Sequence, residues 1–186
     1  MAKNIYYAAM SLDGYIAGPN EELDWLTRFE PAGYAGPEEV DDALEDIPRF
    51  LEGIGALVMG SRTYEFLLEH DAWDYDDRPS WVLSSRELKR LEKAPDLRFA
   101  SGDVADLDAE IREAAGDRDV WILGGGDVAS QYAAAGLLDI VELTIVPVIL
   151  GGGFPLFPQP ITEAMRLLEV QPFASGMAKL KYEIPR

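Results

Sequence analysis

The 186-residue chain contains no cysteine and a single histidine, His70. Disulfides, cysteine nucleophiles and thiolate zinc sites are excluded, and no metal centre is expected. Lysine is scarce, at Lys3, Lys89, Lys93, Lys179 and Lys181 alone, and 16 basic residues face 34 acidic ones for a net charge of −18. That average field repels a nucleic-acid duplex or an anionic membrane, so neither is an expected partner. An anionic ligand must instead find local positive potential, from arginines or helix N-termini. No apolar run approaches the roughly 20 residues that span a bilayer. The opening MAKNIYYAAM has no basic segment followed by an apolar one, as a signal peptide would. A cytoplasmic protein with a small-molecule substrate is expected.

What is present is apolar, at 48% of residues, enough to fold as one domain over 1–186. KNIYYAAM reads as a buried strand, followed by the loop SLDGYIAGPNEELDW. Val40, Ala43, Leu44, Ile47 and Leu51 fall on one helix face, with a kink or break near Asp46 imposed by Pro48. Strand ALVM, helix SRTYEFLLEH, strand SWVL, short helix SRELKRLE and strand LRFA follow. Next come helix DVADLDAEIREAA, strand DVWIL, helix DVASQYAAAG, strand DIVELTIVPVIL and a terminal hairpin turning near Ser175 and Gly176. Such alternation predicts a three-layer α/β fold, its central sheet mixed but mostly parallel, ending in an antiparallel hairpin.

Three strand ends carry suggestive residues. Gly60, Ser61, Arg62 and Thr63 follow ALVM; Ser84, Ser85 and Arg86 follow SWVL; Gly124, Gly125, Gly126 and Asp127 follow VWIL. Ligands of open α/β sheets bind beyond the carboxyl ends of the strands. There, helix N-termini, glycine backbone, hydroxyls and arginines together suit the phosphates of a nucleotide. Each piece has a plainer alternative. Ser61 and Ser84 could be N-caps, Arg62 and Arg86 solvated surface residues, and the glycines packing devices. Gly124 to Ala129 also satisfies G-x-G-x-x-A, the dinucleotide fingerprint, but the acid due about 20 residues on falls in an apolar strand near Thr144.

AAMSLDGYIAG, ALVMGSRTYE, VLSS, VWILGGGDVASQY and ELTIVPVILGGGFPLF occur in an order that resembles the dihydrofolate reductase-like family. The resemblance is closest to the reductase domain of bifunctional deaminase-reductases of riboflavin biosynthesis, and it implies NADPH as hydride donor. By motif, Ala9 and Ile16 would flank the nicotinamide. Gly60, Ser61, Arg62 and Thr63 would hold the pyrophosphate and reach the 2′-phosphate. Leu83, Ser84 and Ser85 would border the adenosine, with Arg86 nearby. Gly124, Gly125, Gly126, Asp127 and Val128 would cradle the pyrophosphate and nicotinamide side. The resemblance also implies a cis peptide between two glycines of that triplet, and a homodimer.

On the substrate side, Asp24 and Trp25 match the end of the family's mobile loop. The acid that binds pterin in folate reductases falls near Leu44, with Asp42 and Asp46 close by. Trp25 and Asp46 are the candidate catalytic residues; Asp46 could equally be a helix cap or a solvated face. In the riboflavin reductases hydride goes to the opened ribose of a phosphoribosylaminopyrimidine, whose phosphate Arg28 or Arg49 would meet. A folate reductase and a non-catalytic nucleotide-binding protein are the alternatives.

Overall fold

The computed structural model describes residues 2–36 and 43–185. Strands β1 (Asn4–Ser11) and β2 (Tyr15–Ala17) precede helices α1 (Asp24–Thr27) and α2 (Ala43–Glu52). Then come β3 (Ile54–Gly60), α3 (Ser61–Glu69), β4 (Ser80–Leu83), β5 (Leu97–Ala100) and α4 (Val104–Ala115). The chain continues through β6 (Asp119–Gly124), α5 (Gly126–Ala134), β7 (Ile140–Val146), β8 (Phe154–Pro155), β9 (Arg166–Pro172) and β10 (Ala178–Glu183).

Eight strands form one sheet in the order β5-β4-β3-β6-β1-β7-β10-β9. The pairings from β5 to β7 are all parallel; β10 joins β7, and β9 joins β10, antiparallel. Side chains alternate between two buried layers, as a sheet covered on both faces requires. Tyr6, Ala56, Val58, Trp81, Val120 and Ile122 meet α4 and α5 on one face. Ile5, Tyr7, Leu57, Met59, Val82 and Trp121 meet α2 and α3 on the other.

Three sequence expectations are corrected. No helix forms over SRELKRLE, because its backbone groups find partners elsewhere. The Ser84 hydroxyl accepts the Arg86 amide at 3.0 Å, and the Tyr64 hydroxyl donates to the Lys89 carbonyl at 2.6 Å and accepts from the Leu91 amide at 2.8 Å. Strand β7 stops at Val146, one residue before Pro147, whose missing N–H cannot serve the ladder. Helix α2 runs through Pro48 without breaking. Phe50 packs edge-on against Tyr7 and Trp121, at 4.8 and 5.1 Å, and holds the second half of the helix on the sheet. Val40 and Asp42 lie outside the described residues.

Helix α2 is also tied down by a buried ionic network. The Lys179 ammonium on β10 sits 2.8 Å from Asp46 and 3.7 Å from Glu142, and Lys181 pairs with Glu142 at 2.7 Å. The Tyr7 hydroxyl donates to Asp46 at 3.0 Å and shares a bond with Thr144 at 3.1 Å. Lys179 thus replaces lost hydration with carboxylates. Its removal leaves the buried Asp46 carboxylate without this counter-charge, while Glu142 keeps Lys181. Lys179→Ala is expected to cost about 3–5 kcal/mol in urea unfolding. Lys3→Ala, which removes a half-exposed ammonium 3.6 Å from Glu183, should stay within about 0.5 kcal/mol.

Candidate active site

The carboxyl ends of β3, β4 and β6 adjoin, with Gly60 beside Leu83 and Met59 beside Gly124 in register. The three motif segments therefore lie along one sheet edge. From β3 the chain passes to α3, whose Tyr64 and Leu67 pack on one face; from β6 it passes to α5, whose Val128, Ala129 and Tyr132 pack on the other. Adjacent strands whose connections diverge in this way leave a crevice between them, the topological switch point of an open sheet.

A cleft of about 840 Å³ opens there. Ala8 and Ala9 of β1, Leu123 and Gly124 of β6, and Arg62 and Thr63 of α3 line its floor and wall. Both helices that begin at the cleft, α3 after Gly60 and α5 after Gly125, have no side-chain hydrogen bond at their N-caps. Helix α4 is capped by contrast, its Asp103 carboxylate accepting the Ala105 amide at 3.0 Å. Two helices of nine residues thus present uncapped first-turn amides and positive dipole ends to one crevice, a pairing suited to phosphate.

Each glycine of the first triplet has its own steric reason. A Cβ on Gly124 would lie 2.7 Å from the Thr63 hydroxyl, and one on Gly126 would lie 2.6 Å from the Leu156 carbonyl oxygen. Gly125 holds φ at +87°, a conformation that favours glycine. The triplet lets α3 and the 155–158 segment close on the strand end, so packing fills two of the three positions expected to form an open floor. Its peptide bonds are trans, since no cis bond occurs among the described residues. In the second triplet Gly151 donates its amide to Asp13 at 2.7 Å, and a Cβ on Gly153 would strike the Ala17 carbonyl at 2.1 Å. The Ser11 hydroxyl, ahead of the Leu150 and Gly151 amides, holds the Asp13 carboxyl below its ordinary range. This triplet locks the loop that carries β8 to β2.

Of the candidate residues, Ala9, Ile16, Arg62, Thr63, Gly124, Gly125, Gly126 and Asp127 line the cleft. Gly60 and Ser61, at the start of α3, are not on the lining, and neither is the buried Val128, 3.4 Å from where a Gly60 Cβ would be. Leu83, Ser84, Ser85 and Arg86 lie outside the lining, with Arg86 held at 2.8 Å by Glu65. Trp25 is half-buried in α1, its indole N–H without a partner among the described residues, and does not line the cleft. Asp46 does not line this cleft either, and its carboxylate accepts hydrogen bonds from Lys179 and Tyr7.

Sequence patterns did not point to Phe154 or Glu21. The Arg62 guanidinium lies 4.6 Å over the Phe154 ring and 3.3 Å from Glu21. Both groups of that ion pair are more than half exposed, so an entering anion could displace it at small cost. Tyr6, also on the lining, donates to the Leu156 carbonyl at 3.3 Å, and burial pushes its phenol far above the usual range. It stays a neutral donor.

The fold, an α/β sheet of this order with a crevice at its switch point, is dihydrofolate reductase-like. The dihydrofolate reductase of Enterococcus faecalis, in complex with NADP(H), superposes with a TM-score of 0.64 at 16% identity, covering 97% of this chain and 95% of that one. The model of the RibD C-terminal domain family matches residues 65–179, and the chain belongs to that family. A candidate riboflavin biosynthesis protein from Shewanella sp. PV-4 is 29% identical with a TM-score of 0.81 over the whole of both chains. The riboflavin biosynthesis protein RibD of Corynebacterium ammoniagenes is 24% identical over 85% of this chain but only 47% of its own length.

The glycine contacts are testable. Gly126→Ala should lower stability by about 1–3 kcal/mol, because the methyl group meets backbone that cannot turn aside. Gly152→Ala, with nothing within 4 Å of the added carbon, should leave the thermal midpoint nearly unchanged.

Proposed function

We propose that the chain is an NADPH-dependent oxidoreductase of the riboflavin-reductase type, acting on a small molecule in the switch-point cleft. The observation that carries this reading is the pair of uncapped helix N-termini opening into one crevice. It supplies local positive potential on a chain of net charge −18, where phosphates would otherwise be repelled. Family membership and the NADP(H)-bound relative support the same cofactor.

The uncapped amides fit a dinucleotide. The first turn of α3, from Ser61 to Thr63, and that of α5, from Gly126, would receive its phosphates, and Ala9 and Ile16 would flank the nicotinamide. When bound, the cofactor supplies a hydride. Ala8, Ala9 and Leu123 give the adjoining floor a small, apolar surface that lets a flat ring lie close and excludes water. Folate reduction is disfavoured because the pterin-binding acid falls at Leu44, and Asp46 beside it is held by Lys179. A non-catalytic binding protein would bind NADPH and oxidise none of it, which loss of NADPH absorbance over a panel of pterins, flavin precursors and carbonyl compounds would reveal.

We further propose a cytoplasmic homodimer. No helix among the described residues is long and apolar enough to cross a membrane. Edge strand β9 leaves Leu167, Leu168 and Val170 exposed, an open edge that a second copy would cover. Light scattering at micromolar concentration should give twice 20.5 kDa, and the monomer mass would reject the dimer.

Arg62 sets cofactor choice in this scheme. Released from Glu21, its guanidinium would meet the 2′-phosphate with a charge-assisted hydrogen bond. Arg62→Ala should then weaken NADPH binding by about 10- to 150-fold and NADH binding far less. Equal losses for the two cofactors in parallel titrations would assign Arg62 to the pyrophosphate or the fold.

A further inference from the structure

The turn that follows β2 brings one carboxylate to α3. Its base is fixed, because β2 pairs with β8 and sets Ala17 beside Phe154. Its body closes on itself: the Gly18 amide donates to the Glu22 carbonyl and the Glu21 amide to the Gly18 carbonyl, each at 3.0 Å. The Asn20 amide donates to the Glu22 carboxylate at 2.7 Å. Glu22 is thus used inside the turn. Glu21, one residue before it, is used outside, its carboxylate 3.3 Å from the Arg62 Nε. The turn leaves Glu21 in left-handed backbone at φ +66°, a conformation that favours glycine, asparagine and aspartate.

Arg62 has two contacts of different kinds. The Phe154 ring, 4.6 Å from the guanidinium, keeps its place whatever anion is near. The Glu21 carboxylate offers an anionic oxygen, which is what a phosphate offers too. Both Arg62 and Glu21 line the cleft, so carboxylate and phosphate compete there for one donor. The pair is more than half exposed on both sides and therefore weak. The left-handed glutamate works against it. A dianion is the stronger partner for the same guanidinium, and the exchange favours it.

We propose that Glu21 is a built-in competitor for the anion position at Arg62. Carboxylate and phosphate exclude each other there, and a phosphate that takes the guanidinium frees the turn over 18–22 from α3. Glu21 thereby lowers the affinity for a phosphate-bearing cofactor and couples its arrival to the turn at the cleft mouth. The proposal rests on the reductase reading for the identity of that cofactor, and deepens it.

The test is hydrogen exchange of the full chain, read at the Gly18 and Glu21 amides. Without added anion, Glu21→Gln and Arg62→Ala should each speed exchange about two- to fivefold, and the double variant no further. Inorganic pyrophosphate and NADPH, added separately, should speed the same amides in the wild type and leave them unchanged in Arg62→Ala. By calorimetry, Glu21→Gln should tighten NADPH about two- to fivefold, and should not tighten it in the Arg62→Ala background. Exchange that is unchanged in the single variants, or that rises additively in the double one, overturns the proposal. So does an amide slowed or unmoved by pyrophosphate, or equal tightening in both backgrounds, which would mark a general charge effect. NADPH that binds without moving the turn fails only this proposal. A chain that binds no NADPH fails the reductase reading, and the exchange experiments with pyrophosphate still decide the role of Glu21.

Discussion

The connections that leave β3 and β6 turn to opposite faces of the sheet, and the cleft follows from that divergence. A parallel sheet must return each crossover along one face or the other, and right-handed crossovers fix which face it is. Where two neighbouring strands choose differently, no helix can cover the gap at their carboxyl ends. The same geometry brings the starts of α3 and α5 together, so a chain with few cations gathers positive potential from backbone alone. Thr63, Gly124 and Gly126 allow the approach, since any side chain at either glycine would collide with a neighbour within 3 Å.

Charge is then distributed by position rather than by composition. The excess of carboxylates is spread over the surface and also reaches the cleft lining, at Glu21, Glu22, Asp24, Glu65, Glu69 and Asp127. Positive potential at the strand ends comes from the helix amides and from Arg62, which contacts Glu21 and Phe154.

Much of this architecture is legible in the residues. The apolar alternation of β1, β3, β4 and β6 identifies buried parallel strands, and the ordered motifs at their ends fall along one edge of the sheet. The helix expected over SRELKRLE is instructive as a failure. Its local pattern is helical, but Tyr64, some 25 residues earlier in the chain, supplies the hydrogen bonds that hold it open. Asp46 shows the same limit. Its place near the position that the resemblance gives the pterin-binding acid makes it a candidate contact, and nothing local indicates that Lys179, 133 positions away, reaches it.

Sequence by itself thus determined the class of fold, the sheet edge at which the cleft opens and the glycines that edge requires, because periodicity, turn chemistry and strand-to-helix order are local properties. Only the tertiary structure decided which charged groups are free to act. Arg62, Arg86 and Asp46 look alike along the chain as exposed polar residues, yet folding brings each a partner from elsewhere in the sequence. The strength of a charge depends on its distance from others and on its exposure to water, and neither is set until the chain has closed on itself.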